Sequence, residues 1–423
     1  MRLLLKKICL SETFQTLSIF AGGNILVSII IGLGGLLQAR WVCPAVLGEF
    51  RKYGIITMYL YFGLVLVHDG LMRQYPYLIG KGHKEEALRV SAAAKWWYVL
   101  LSWLFSAFFA VLAIYSLYKE DYRATIGWGA QITVVWTIYY GAYQTVMYRS
   151  SSDFKRLTYN NLISGILGFF YVGFVKFFGY WGLAVRTLAI NIQSLLINGR
   201  YLPVKVKAVF DYKRLVGLAK ISIPLSVPGY IQISFLNATV SGIILRYCGE
   251  TGLGIYGIAI IFQQFTLTFT AALNQLFTVK LTRRFGETEN VYSCFRYATI
   301  PTLLSAMAAT GLAIAVCIAI GPFIRVVIPQ YVDSIPLIQI LSIVLPLTAL
   351  GLPLIMFRAA LWYKTVIVLS LFKFFICFLL IFLFEKTLIN ITACTVLAEF
   401  FTLLVGYSIV GYRYKTERSR AEN

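Results

Sequence analysis

Arg40-Trp41-Val42-Cys43-Pro44-Ala45-Val46-Leu47-Gly48-Glu49-Phe50 is followed, about half a chain later, by Arg246-Tyr247-Cys248-Gly249-Glu250-Thr251-Gly252-Leu253-Gly254-Ile255-Tyr256. Both read Arg, aromatic, five residues, Leu-Gly, one residue, aromatic, and each joins one long apolar segment to the next. Self-similarity at a fixed offset is the mark of an internal duplication.

The segments on either side fix the class. The 423 residues are 59% hydrophobic and 13% charged, with a mean hydropathy of +0.76, far from the composition of a soluble domain. Runs of about 20 apolar residues suit transmembrane helices, whereas a β-barrel would alternate in short segments. The runs predict spans at 17–38, 53–79, 96–118, 125–147, 160–178, 182–199, 221–246, 254–279, 298–320, 335–357, 365–384 and 388–410. The first has no small-residue cleavage site after it and reads as a retained helix. The expected fold is therefore an all-α polytopic membrane protein of about 12 transmembrane helices.

The longest connection, near residues 200–220, divides the spans into two sets of six. The expected domains are residues 1–210 and 211–423, two six-helix bundles. An even number of spans per half gives both the same orientation, hence a pseudo-twofold axis along the membrane normal. Most of the 38 Lys and Arg fall on one set of loops, including those at Lys81 to Lys95, Arg149 to Arg156 and Arg200 to Lys220. The positive-inside rule places these loops and both termini in the cytoplasm. This also accounts for the net charge of +21, so the partners are membrane lipids and no nucleic acid is implied.

No soluble chemistry is visible. His68 and His83 are far apart in topology, no P-loop or dinucleotide signature occurs in context, and the seven cysteines are scattered. Only Cys43 and Cys248 share a face and a repeat position, which leaves a disulfide between them conceivable. The chain is not expected to be an enzyme, to hold a metal or to need a cofactor.

Charges inside spans are the informative residues, since they are costly in hydrocarbon without a partner or a wet cavity. Asp69 lies near the middle of the second span, with Arg73 four residues on; they either pair along one helix or face a central cavity. Lys176 and Arg186 flank the turn at Tyr180-Trp181 at similar depth; Lys176 can snorkel to the surface, while Arg186 is the better cavity residue. Lys373 and Glu399 are equally far from the turn near Lys386, so they sit level on neighbouring antiparallel helices and should form a salt bridge, either a permanent staple or a switchable pair. Pro224, Pro228, Pro346 and Pro353 should kink their helices. Trp128, Trp136, Tyr139, Tyr140 and Tyr143 either pack as core or offer stacking surfaces to a sugar.

Gly22-Gly23-Asn24, Arg40 with Pro44 and Leu47-Gly48-Glu49-Phe50, Asp69-Gly70-Leu71 running into Tyr75-Pro76-Tyr77-Leu78, the loop Gly80-Lys81-Gly82, and later Gly321-Pro322 and Tyr331, together resemble the polysaccharide-transporter branch of the MOP superfamily, the Wzx-type O-antigen flippases. The resemblance covers most of the chain. It implies a two-bundle transporter in the bacterial inner membrane that moves an undecaprenyl-pyrophosphate-linked oligosaccharide between leaflets by alternating access, with a proton or sodium gradient as the coupling force. Polymerase and chain-length proteins of the same pathway are the implied partners. On this resemblance Arg40, Arg73, Arg186, Arg246 and Lys373 are assigned to substrate or gate contacts, and Asp69 and Glu399 to charge relay. A multidrug and cation extruder of the same superfamily is the first alternative, although the first span lacks the acid usual there. A membrane polysaccharide polymerase would need a large outer loop, and a scaffold would have little reason to bury these charges.

Overall fold

The computed structural model describes residues 12–288, 291–355, 357 and 362–422, and among them there are helices and no strand. In chain order these are α1 (Glu12–Trp41), α2 (Pro44–Gly80), α3 (Lys84–Tyr118), α4 (122–150), α5 (Phe154–Phe170), α6 (Val172–Arg200), α7 (Tyr212–Gly229), α8 (Leu236–Thr288), α9 (Val291–Val327), α10 (Pro329–Leu350), α11 (Tyr363–Leu383) and α12 (Leu388–Glu422). Among the described residues eight helical segments are long and apolar enough to cross a bilayer, or nine if the bent α5–α6 pair is one span. Two tight turns sit inside helices: α6 turns at Gly179 (φ 53°) and α8 at Gly249 (φ 69°), left-handed conformations that glycine adopts without a Cβ penalty. With α6 and α8 divided there, the rods fall at the positions of the twelve expected spans.

Several rods run further than hydropathy suggested. α3 begins at Lys84, a dozen residues before its apolar run, because Glu85, Glu86 and Arg89 carry the helix out of the apolar layer, with Glu85 and Arg89 paired on one face. Asp121, Asp153 and Asp211 each accept a backbone N–H at the start of α4, α5 and α7, the service an N-cap performs for otherwise orphaned donors. The prolines differ in effect: no break is seen at Pro224 or Pro228, which lie inside a continuous helix. α7, with Pro224 and Pro228, runs into a π-helical turn at Tyr230–Phe235, and α10 is broken at Ile343 and Gly351 around Pro346 and Pro353.

The chain forms two compact units. One takes the described residues up to Val42 and Glu49–Tyr230; the other takes Cys43–Gly48 and those from Ile231 onward. In the first, α3 packs along α4, α1 along α5, α6 on both α4 and α5, and the last part of α2 against α7. Its core is built on tyrosine. Tyr98, Tyr139, Tyr143 and Tyr148 are fully buried, and their hydroxyls meet His68 Nδ1 (3.3 Å), the Leu60 carbonyl, Ser91 Oγ (3.0 Å) and the Asn198 carbonyl (3.0 Å). Trp128 packs on Tyr53 and Phe109, and Trp136 on Trp103 and Tyr140. Most of the aromatic face of α4 is thus engaged in packing.

The basic connection at 201–211 is strapped to α3. Val209 N–H donates to the Ala92 carbonyl (3.2 Å), Lys95 Nζ to the Val206 carbonyl (2.8 Å), and Phe210 lies against Trp96. Arg214 closes the strap with two 2.9 Å bonds to Glu86 and an ion pair with Asp211. The backbone N–H and guanidinium of Arg214 hold the Asp211 carboxyl below the usual carboxylate range.

In the second unit the two copies of the repeat meet. A Cβ at Gly48 would collide with the carbonyl of Glu250, and a Cβ at Gly254 with that of Pro44. Glu250 is the repeat counterpart of Pro44, as Gly254 is of Gly48, so the contact is reciprocal, the self-complementary form that a twofold operation produces. Gly48→Val or Gly254→Val should each cost about 1–3 kcal/mol through overpacking against rigid backbone, read as a lower melting temperature in detergent. Gly129→Ala, whose Cβ meets nothing within 4 Å, is the control, and three equal melting temperatures would rule out the interlock.

Candidate functional site

Neutral polar residues at helical spacing line one side of the first unit. α4 presents Thr137, Gly141, Thr145 and Arg149, and α6 presents Asn191, Ser194 and Asn198; intervals of three and four put each set on one face. With Tyr61 and His68 from α2 and Asn161 from α5 they line an open pocket of about 490 Å³. Thr137–Gly141 is a π-helical turn, which widens the helix where the chamber needs room, and such turns are frequent at functional sites. Behind the wall Asn160 bonds to Tyr148 (3.2 Å) and Asn198 (3.1 Å), locking α4, α5 and α6 together.

A second chamber of about 370 Å³ adjoins the first, sharing Asn161 and Ser194 with it. Its other walls are mostly apolar, from Val27, Ile30 and Ile31 of α1, Phe169 of α5 and Ile190 of α6, and it contains Arg186. The Arg186 guanidinium donates to Gln38 Oε1, while its Nε is buried with no bonding partner. Gly34 leaves the room: a Cβ there would stand 3.3 Å from Arg186 Nη2. The described residues lining the two chambers include no Asp or Glu. Arg149 at the basic end and Arg186 near the opposite end are therefore cations facing neutral walls.

The other expected site residues stand apart from this pair. Asp69 accepts a 2.7 Å hydrogen bond from Ser226 of α7 and does not pair with Arg73, which is exposed. Arg40 and Arg246 are likewise exposed, at the ends of their rods. Lys176 is exposed too, over the ring of Trp41, the snorkelled position. Lys373 and Glu399 form an ion pair between α11 and α12, with side-chain exposures of 17% and 21%. Cys43 and Cys248 are free thiols. Among the described residues no group of three or more His, Cys, Asp or Glu converges to hold a metal. Arg149 lies just beyond the expected end of its span and the amides carry no charge, so neither is marked by a charge within a span, although Asn191, Ser194 and Asn198 announce their stripe by spacing alone.

The fold is that of the MOP-superfamily transporters. A multidrug resistance MATE family transporter in an inward-facing conformation superposes with a TM-score of 0.72 at 16% identity, covering 93% of this chain and 99% of that one. An outward-facing conformation of such a transporter gives 0.64 at 18% identity over 98% of both chains. A MOP-superfamily transporter from Pyrococcus furiosus, described as having a binding pocket of reversed polarity, gives 0.64 at 17% identity over 94% and 95%. No curated protein matches the sequence significantly. The family model described as polysaccharide biosynthesis protein matches residues 39–331, and the chain belongs to that family, which the Wzx-type resemblance of the sequence fits.

The ion pair of α11 and α12 separates two roles cleanly. Lys373→Ala alone should cost about 1–3 kcal/mol by leaving a partly buried carboxylate uncompensated, while Lys373→Met with Glu399→Leu should recover most of that. A melting-temperature cycle measures this, and a double variant as unstable as the single one would contradict it.

Proposed function

We propose that this protein is a flippase for an undecaprenyl-pyrophosphate-linked oligosaccharide, an O-antigen unit or a related polysaccharide repeat, in the bacterial inner membrane with both termini cytoplasmic. The reading is carried by one observation: in the first unit Arg149 lies among amides and hydroxyls and Arg186 in an adjoining, mostly apolar pocket, with no acid among the described lining residues. Sugar hydroxyls suit Asn, Ser and Thr, which both donate and accept, and a pyrophosphate suits an arginine fork. A cation extruder would need the opposite charge in the same place. The substrate is handed to polymerase and chain-length proteins, which act on it at the far face, and the protein itself makes or breaks no bond.

In this reading residues 1–210 and 211–423 are the two bundles that exchange access. Arg186 and Arg149 contact substrate, Arg40, Arg73 and Arg246 act at the ends of the path, and Lys373 exchanges its partner during the cycle. Asp69 and Glu399 relay charge, with a proton or sodium as the coupling ion.

Deletion of the gene in its host should leave lipid-linked oligosaccharide on the cytoplasmic leaflet and strip the cell of surface polysaccharide. Arg149→Ala with Arg186→Ala should restore less than about a tenth of wild-type export while inserting normally, since each arginine–phosphate contact is worth about 1.5–3 kcal/mol. Full export by that variant would sink the assignment. Unchanged glycans with raised drug sensitivity would favour an extruder, and an unpolymerised unit on the outer leaflet would favour a polymerase.

A further inference from the structure

α7 meets α2 and α3 along one stripe. Arg214, Leu218, Ser222, Ser226 and Tyr230 recur at intervals of four, which sets them on one slowly turning face over about 24 Å of helix rise. Arg214 bonds to Glu86 at the basic end of α3. Leu218 brings its carbonyl against Gly70, where a Cβ would stand 2.6 Å from that oxygen and 3.2 Å from Ser222 Cβ. Ser226 donates to Asp69 at 2.7 Å and lies 3.3 Å from Ser222 Oγ. Tyr230 Oη donates to the Tyr59 carbonyl at 3.0 Å.

Such a seam positions a helix without holding it hard. Hydrogen bonds between helices in a bilayer contribute little each, because the separated groups find other partners, and of the five stripe residues only Leu218 is aliphatic. α4, by contrast, is anchored by the fully buried rings of Tyr139, Tyr143 and Tyr148. The backbone of α7 is also softened. Pro224 and Pro228 remove the N–H groups that would bond the carbonyls of Lys220 and Pro224, and the turn at Tyr230–Phe235 is π-helical.

The repeat supplies the contrast. By the offset between its two copies, α1 corresponds to α7 together with the first part of α8, as far as Gly249. α1 is one helix, packed on α5 and α6 of its own half. Its counterpart changes unit midway: residues up to Tyr230 belong to the first unit and those from Ile231 to the second, so the boundary falls at the π-helical turn.

We propose that α7 is a hinged arm that pivots at the Tyr230–Phe235 turn, docks on α2 and α3 through the stripe from Arg214 to Tyr230, and leaves that seam during the working cycle. Arg214 and Glu86 latch its free end, and Gly70 leaves the space it closes into. Undocking takes the Ser226 hydroxyl from Asp69, so the position of the arm sets what that carboxylate binds. The docked state rests on the seam alone; that undocking accompanies transport rests on the flippase reading.

The test uses the full chain in nanodiscs, its native cysteines replaced by serine, with nitroxides on Lys84→Cys and Lys220→Cys, both exposed positions. Pulsed electron resonance should give a docked distance and a longer one. Arg214→Gln, which removes the latch, and Gly70→Val, which wedges the seam, should each raise the longer population at least threefold, and Ile223→Ala, off the stripe, should not. A single distance unchanged by either variant overturns the hinge, and an equal change in Ile223→Ala overturns the seam as its cause. For transport, Glu86→Cys with Arg214→Cys is bridged by a cleavable bismaleimide, and the cargo is the lipid-linked oligosaccharide isolated from the deletion host. Bridged protein should translocate it in liposomes at less than a tenth of the unbridged rate and recover on cleavage. Undiminished translocation while bridged overturns the arm's role and leaves the flippase reading standing; two distances in a protein that never translocates does the reverse.

Discussion

A polar group in hydrocarbon has no water to fall back on, and every feature of the first unit follows from that constraint. Backbone groups are satisfied by helices. Side chains are satisfied by stitching helix to helix: the four buried tyrosines reach a ring nitrogen, a hydroxyl and two carbonyls on other elements. Asn160 ties three helices at once through Tyr148 and Asn198. The matching is not complete: in the same unit Arg186 Nε, Ser164 Oγ, Gln144 Oε1 and both amide atoms of Gln193 are buried without a bonding partner.

The same constraint explains how much could be read without coordinates. Apolar runs mark the spans because the bilayer tolerates little else, so the positions of the rods were plain. Counting outward from the turn at Lys386 put Lys373 level with Glu399, and the two are paired. Asp69 and Arg73 show the limit of such counting. Their spacing along one helix permits a pair, but α2 is interrupted before His68 and Ser226, on a helix distant in sequence, takes the carboxylate first. Tertiary neighbours of that kind leave no local trace. The amide stripe of α6 did leave one, in residues whose neutrality hides them from any search for charge.

The two units hold different kinds of charge. In the second, Lys373 has its carboxylate on the adjacent helix, a closed arrangement. In the first, Arg149 and Arg186 face walls without one. A shared fold leaves function to its sites, and among the described residues that line the two pockets of the first unit the charged side chains are arginines without a facing carboxylate.

Gly48 and Gly254 add a constraint of another kind. Each is held small by a backbone carbonyl of the other copy's turn, so neither half of the duplicated gene is free to drift at that point while the other stays still. At this crossing the two turns are a single steric unit, in which a bulkier residue on one side has to be answered by a shift of main chain on the other.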